Sequence, residues 1–166
     1  MTQRLHTRGF TLIEILIYIS VLVLATTVVV TAFISLRTIF ERNRAQRQVA
    51  DAATAILERI VRETRNSIGI SSIATSTLVL NQAPTTTSFY LSNGDMKVTV
   101  QGGGWMLYDD SLDSDRVIVS KVLFSQFTNT GTSTAVKVDL ELSVTGPYAS
   151  TTQTFNTTAV VRGTYE

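Results

Sequence analysis

An uncharged apolar run near the N-terminus restricts what this chain can fold into. Residues 15–36 include no charged side chain, and Glu14 is the single charged residue between Phe10 and Leu36. As an α-helix rising about 1.5 Å per residue, the run would be roughly 33 Å long, close to the ~30 Å hydrocarbon core of a bilayer. The alternative, a buried helix of a soluble protein, is less favourable because too little chain remains beside a terminus to cover it. We therefore predict a membrane-spanning helix.

The helical pattern continues beyond the apolar run and changes character. Apolar residues recur at helical spacing among arginines, and they are Ile39, Phe40, Val49, Ala53, Ile56, Leu57, Ile60 and Val61. No proline precedes Pro84 and no glycine lies between Gly9 and Gly69, so nothing interrupts a helix from about Phe10 to Asn66. Its second half is amphipathic and should pack on the rest of the chain.

From Ile68 onward, Thr, Ser and β-branched residues alternate between turn residues, which is typical of β-structure. The predicted strands are Ser76–Leu80, Ser88–Leu91, Met96–Val100, Trp105–Tyr108, Arg116–Phe124, Val136–Val144 and Thr154–Arg162. Asn93-Gly94-Asp95 indicates a hairpin turn. The predicted loops and turns are Gly102–Gly104, Asp109–Asp115, Asn129–Ser133 and Gly146-Pro147.

One predicted strand shows how helix and strands combine. Between Val136 and Val144, aliphatic side chains alternate with polar ones such as Lys137 and Glu141, which predicts an antiparallel sheet with one apolar face. The amphipathic half of the helix is the available cover for that face. The fold class is therefore α+β, with a long N-terminal helix, half transmembrane and half amphipathic, packed on an antiparallel β-sheet.

Composition excludes several functions. The chain has no Cys, which removes disulfides and thiol chemistry, and its one His is His6. No nucleophile motif with a visible base is present, so we do not expect an enzyme. Residues 66–166 carry five basic and eight acidic side chains, too few clustered cations to predict direct contact with nucleic acid.

The most specific local pattern is Arg8-Gly9-Phe10-Thr11-Leu12-Ile13-Glu14, at the start of the apolar helix. It resembles the cleavage and methylation motif of the type IV pilin superfamily, which includes pilins and the pseudopilins of type II secretion. The resemblance implies cleavage by a membrane prepilin peptidase between Gly9 and Phe10, followed by methylation of Phe10. Glu14 matches the family's intramembrane glutamate, which we expect to pair with the Phe10 amine of a neighbouring subunit during assembly.

The resemblance also implies a domain organisation and a location. Residues 1–9 would be a leader peptide, residues 10–36 a transmembrane and filament-core helix, and residues 37–166 an extracytoplasmic pilin-like domain. The protein would be a single-pass inner-membrane protein that later enters a filament. Its expected partners are the prepilin peptidase, other pilin or pseudopilin subunits, the inner-membrane assembly platform and the lipid bilayer.

The kind of subunit is suggested by three further features. The helix has no proline in its first half and the chain lacks a C-terminal cysteine pair, whereas many major pilins have both. The helix around residues 57–63 and the strand after Asp115 look more like minor components of the J or W type. The expected function is therefore a structural, minor subunit of a type IV pilus or a type II secretion pseudopilus.

Two other interpretations of the N-terminal segment compete with the pilin-like one. A secretory signal peptide could be cleaved after Ala25, but the apolar run continues to Leu36 and Glu14 would lie inside the apolar region. Positive flanking charges, counted alone, favour a cytoplasmic C-terminus, because four arginines follow the run closely and two precede it. The resemblance implies the opposite orientation, and we follow it because the motif is more specific.

Other features leave alternatives open. Four carboxylates in one predicted loop could bind calcium, although a solvated acidic turn fits the loose pattern better; they are Asp109, Asp110, Asp113 and Asp115. Trp105 and Tyr108 could form an exposed aromatic contact or face a core. The alternative function is a membrane-anchored binding module, such as an adhesin or a DNA-uptake receptor. No cofactor is otherwise expected.

Overall fold

The computed structural model describes residues 11–100, 103–107, 117–128, 134–145 and 150–162. A single helix, α1, runs from Leu12 to Asn66, as the uninterrupted helical pattern predicts. Thr11 precedes it as the N-cap, and its Oγ1 accepts a hydrogen bond from the Glu14 N–H at 3.4 Å. At the other end the Ser67 hydroxyl donates to the Thr64 carbonyl at 2.7 Å. The chain then leaves the helix towards Gly69.

The chain divides into two compact parts at Phe40 and Glu41. In the first part, the described residues from Leu12 onward form helix only, and their large apolar side chains are exposed. Ile39 and Phe40 belong here: they are 55% and 70% exposed, so assigning them to the packed face was wrong. They continue the apolar run, and the buried face of α1 begins at Ala45.

In the second part, the described residues form the rest of α1 and eight antiparallel strands. The strands are β1 (Gly69–Ala74), β2 (Thr77–Asn81), β3 (Thr86–Ser92), β4 (Asp95–Val100), β5 (Gly103–Met106), β6 (Val117–Thr128), β7 (Thr134–Thr145) and β8 (Ser150–Val160). They form a five-stranded sheet in the order β1-β2-β3-β4-β5 and a three-stranded sheet in the order β6-β7-β8. The predicted α+β class is confirmed, with two sheets in place of one.

The core lies between the helix and these sheets. On α1 the buried side chains recur every three or four residues, as in Ala53, Ile56 and Ile60. From β7 the alternate residues Val136, Val138, Leu140, Leu142 and Val144 are all buried, which confirms the predicted alternation. Burial of one such side chain contributes roughly 1.5–3 kcal/mol. The apolar face of α1, with its helical period, therefore packs with the apolar face of β7, where every second residue is apolar.

The hairpin between β3 and β4 turns at Asn93 and Gly94, as predicted. Both residues have positive φ angles, 55° and 81°, the combination that a two-residue turn of the I′ type requires. Its register pairs Ser92 with Asp95. The Gly94 carbonyl accepts a hydrogen bond from the Val119 N–H at 2.8 Å, so the turn also joins the first sheet to β6.

Two local predictions differ from the structure. Gly103 and Gly104 were expected in a loop but belong to β5, where they pair with Val100 and Thr99. Pairing with a long neighbouring strand outweighs the weak strand preference of glycine. Residues 69–74 were not predicted as a strand, yet they pair with β2 through a bulge between Ile70 and Ser72. The bulge removes the regular alternation by which such a strand is identified.

Candidate functional site

The candidate site is the first turns of α1, where a carboxylate occurs in the apolar run. Thr11 and Glu14 have the spacing of a capping box, in which a hydroxyl at the N-cap pairs with the third helical residue. The Glu14 N–H contacts both the Thr11 hydroxyl at 3.4 Å and the Thr11 carbonyl at 3.1 Å. A carboxylate at this position is also stabilised by the positive end of the helix dipole. The start of the helix is therefore well suited to an acidic residue.

Glu14 has a hydrogen-bond donor on its own helix. The Tyr18 hydroxyl donates to Glu14 Oε1 at 2.9 Å, because residues four apart lie on the same side of a helix. A carboxylate without a donor is costly in a hydrocarbon environment. The phenol thus satisfies part of the hydrogen-bonding capacity of Glu14 within one chain.

The rest of the apolar run satisfies its polar groups internally. Five hydroxyls in the run donate to the carbonyl four residues earlier, at distances of 2.8 to 2.9 Å, and Thr38 just after the run does the same at 3.1 Å; the five belong to Ser20, Thr26, Thr27, Thr31 and Ser35. This i−4 bonding is the usual way in which such residues are accommodated in a helix. The run is long and apolar enough to cross a membrane, and none of it is buried within the chain.

The structure places only some of the residues singled out from the sequence. Glu14 is half-buried at the start of α1. Gly9 and Phe10 lie outside the described residues, as do Tyr108 and the calcium candidates Asp109, Asp110, Asp113 and Asp115. Trp105 is 58% exposed, which favours a surface aromatic over a core residue.

Two residues of the site were missed by the sequence reasoning. Thr11 could have been found from the Thr-x-x-Glu spacing that it forms with Glu14. Tyr18 could have been found as the only hydroxyl-bearing aromatic one turn after Glu14, on the same helical face. Both signals are visible in the printed sequence.

Comparison with known proteins identifies the same end of the chain. Residues 4–30 match the model of the prokaryotic N-terminal methylation motif. No curated protein and no solved structure is significantly similar to the chain. The match supports a type IV pilin-like precursor, a class of structural proteins that are processed at the N-terminus and assemble with related subunits. The exposed apolar helix is consistent with a membrane-anchored protein of this class.

Proposed function

We propose that this protein is the precursor of a minor subunit of a type IV pilus or of a type II secretion pseudopilus. Prepilin peptidase cleaves it between Gly9 and Phe10 and methylates the new N-terminus at Phe10. The observation that carries the proposal is the match of residues 4–30 to the methylation motif, which continues directly into the apolar half of α1. The absence of a side chain on Gly9 suits the extended backbone that a peptidase cleft requires.

Glu14 directs assembly in this proposal by pairing with the Phe10 amine of a neighbouring subunit. Each charge alone is costly in lipid, and pairing offsets both costs. The Tyr18 hydrogen bond supports this role, since it gives the carboxylate a partner on its own helix until the amine of a neighbour arrives. Before assembly the carboxylate would bond to Tyr18, and in the filament it would pair with the Phe10 amine of a neighbour. It would therefore not be unpaired at either stage.

The proposed topology follows from the same role. Residues 1–9 remain in the cytoplasm as the leader, residues 10–36 cross the inner membrane and later lie in the filament core, and residues 37–166 form the extracytoplasmic domain. The division of the chain at Phe40 and Glu41 supports a boundary close to the proposed one. The partners are the peptidase, other subunits and the inner-membrane assembly platform.

The N-terminus of the protein extracted from membranes tests the proposal. We expect mass spectrometry to find a chain that begins at methylated Phe10 when the peptidase is present, and the full chain when it is deleted. Gly9→Val should remain uncleaved in both strains. A chain beginning after Ala25 would instead identify a secretory signal peptide, and an uncleaved wild-type chain beside an active peptidase would also refute the proposal.

A further inference from the structure

Strand β8 ends the three-stranded sheet with a free edge. It pairs with β7 from Ser150 to Val160, and no second strand among the described residues pairs with it. Its eleven residues include no charged side chain and no proline. Natural sheets usually protect such an edge with charges, prolines, bulges or short strands, because its unpaired N–H and C=O groups bind other strands.

The other sheet edges are protected in these ways. β6 is interrupted by a bulge between Val119 and Lys121, and the N–H groups of Val119 and Phe124 donate to the carbonyls of Gly94 and Thr75. β1 is short and bulged, and β5 has four residues. Within the described part of the chain, β8 is therefore the one long, regular edge without charges.

A groove lies between the C-terminal half of β8, at Asn156 and Thr157, and α1. Its volume is about 660 Å³. Leu57 and Val61 of α1 and Thr157 of β8 line it, and all three are half-buried. The side chains between helix and strand thus leave room for an additional chain, with apolar surface available to its alternate side chains.

The charges of this groove favour an acidic ligand. Arg62, Arg65 and Arg162 line it together with a single carboxylate, Glu58. Among the described residues no ion pair involves Arg65 or Arg162, and the only one of Arg62 is with Glu63 at 4.0 Å. Arginines in such a position bind carboxylates well, because the guanidinium offers several donors in a fixed plane.

We infer that the groove between α1 and β8 binds an extended acidic segment of a partner protein, which adds a fourth strand to the three-stranded sheet. The β8 backbone would supply the hydrogen bonds, and the arginines would select a strand that carries carboxylates. The β8 strand of a second copy offers backbone groups but no carboxylate, so it leaves the arginines without partners. This inference goes beyond the proposed function and does not depend on N-terminal processing.

The test uses the full chain in detergent micelles and a synthetic peptide, matched to β8 in length, that alternates valine with glutamate. Fluorescence anisotropy should show binding of this peptide but not of one in which lysine replaces glutamate. Hydrogen exchange of the β8 amides should slow when the peptide binds, as strand addition requires. The affinity should fall as salt concentration rises, because these arginines are near the surface.

A charge reversal makes the test specific. Arg65→Glu combined with Arg162→Glu should weaken binding of the glutamate peptide at least about tenfold and create binding of the lysine peptide. Arg47→Glu is the matched control, since Arg47 is an exposed arginine of the same helix outside the groove; it should bind like the wild type. Circular dichroism before each titration checks that the variants are folded.

Several results would overturn the inference. Failure of the wild type to bind the glutamate peptide is one such result, and an unchanged affinity after the charge reversal is another. Protection of β8 by concentration-dependent self-association without peptide would identify a second copy as the occupant. Binding without slower exchange in β8 would identify a groove ligand that adds no strand. None of these results would bear on cleavage at Gly9, so the proposed function is tested separately.

Discussion

At the scale of single residues, the chain provides Glu14 with a local partner. The Tyr18 hydroxyl donates to the carboxylate, and Thr11 caps the helix that carries both residues. The carboxylate therefore accepts one hydrogen bond from Tyr18, and the backbone N–H of Glu14 donates another to Thr11, both within the first two turns. Any role of Glu14 in assembly begins from this geometry.

Glu14→Gln should be cleaved and inserted normally but should enter filaments poorly. The amide keeps the size of the side chain and its contact with Tyr18, but it removes the charge that would pair with the N-terminal amine of a neighbour. Sheared filament fractions, probed by immunoblot, measure incorporation. Glu41→Gln, an acid on the same helix outside the apolar run, serves as the control, and normal incorporation of Glu14→Gln would contradict the assembly role.

Tyr18→Phe should lower the stability of the membrane-inserted chain by about 0.6 kcal/mol, the average for one hydrogen bond between helical side chains in a membrane. The ring remains, and the hydroxyl that donates to Glu14 is lost. Thermal denaturation in micelles measures the change. In a double-mutant cycle, Glu14→Ala removes the acceptor of this hydrogen bond, so the cycle separates the Tyr18–Glu14 pair from other effects of the phenol; strictly additive losses would show that the hydrogen bond contributes nothing.

Thr64→Val should stabilise the second part of the chain by about 1 kcal/mol. Thr64 is fully buried, and its Oγ1 has no hydrogen-bond partner among the described residues, so an isosteric methyl removes a desolvated hydroxyl. Urea unfolding in micelles measures the gain. Thr54→Val is the control, because the Thr54 hydroxyl is exposed and bonded to Ala50; equal effects of the two variants would refute the explanation.

At the scale of elements, the sequence predicts best what depends on local pattern. The helix follows from an unbroken period and its stop signals, and β7 follows from strict alternation. The turn at Gly94 follows from the need for positive φ. The candidate site was predicted at Glu14 for a related reason, since a single acid in an apolar run is visible without any structure.

The rest depends on contacts between distant segments. Gly103 and Gly104 form a strand only because β4 lies beside them. In the two-sheet arrangement β6 pairs with β7 and not with β5, and its backbone also bonds to the turns at Thr75 and Gly94. The groove beside β8 arises from residues about a hundred positions apart, such as Leu57 and Thr157. No short sequence pattern predicts contacts between residues so far apart in the chain.

Gly94→Ala should destabilise the hairpin by roughly 1–3 kcal/mol. The φ angle of 81° is unfavourable for alanine, and the added Cβ would lie 2.7 Å from Cγ2 of Ile118. Chemical denaturation measures the loss. Asn93→Gly changes the other turn residue without adding a side chain or strain, so it should lie within about 0.5 kcal/mol of the wild type; a similar loss in both variants would argue against strain at Gly94.

At the scale of the whole molecule, charge and hydrophobicity are distributed unevenly. Residues 1–65 carry nine basic and five acidic side chains, whereas the remainder is acidic on balance. The two compact parts also differ in hydrophobic exposure: the first exposes its large apolar side chains, whereas the second buries most of its own. The overall net charge of +1 therefore describes neither part.

Processing should move the isoelectric point from the basic to the acidic side of neutrality. The full chain has a sequence pI of about 8.1. Cleavage after Gly9 removes Arg4 and Arg8, so the remaining side chains sum to −1. Isoelectric focusing of the extracted protein, with and without the peptidase, measures the shift. Gly9→Val should focus with the precursor in both strains, and an unshifted wild-type band in the presence of the peptidase would contradict cleavage at this site.

The hydroxyls of the apolar run have a consequence for how this helix chooses its neighbours. Because the run's five serine and threonine hydroxyls donate to carbonyls of their own helix, the helix can exchange lipid chains for protein surfaces without breaking a hydrogen bond. Van der Waals packing then determines how strongly two such helices associate. It differs little between one axial offset of the two helices and another. Glu14 is the one charged side chain between Phe10 and Leu36, so in the proposed filament the axial alignment of neighbouring helices would depend on a single carboxylate.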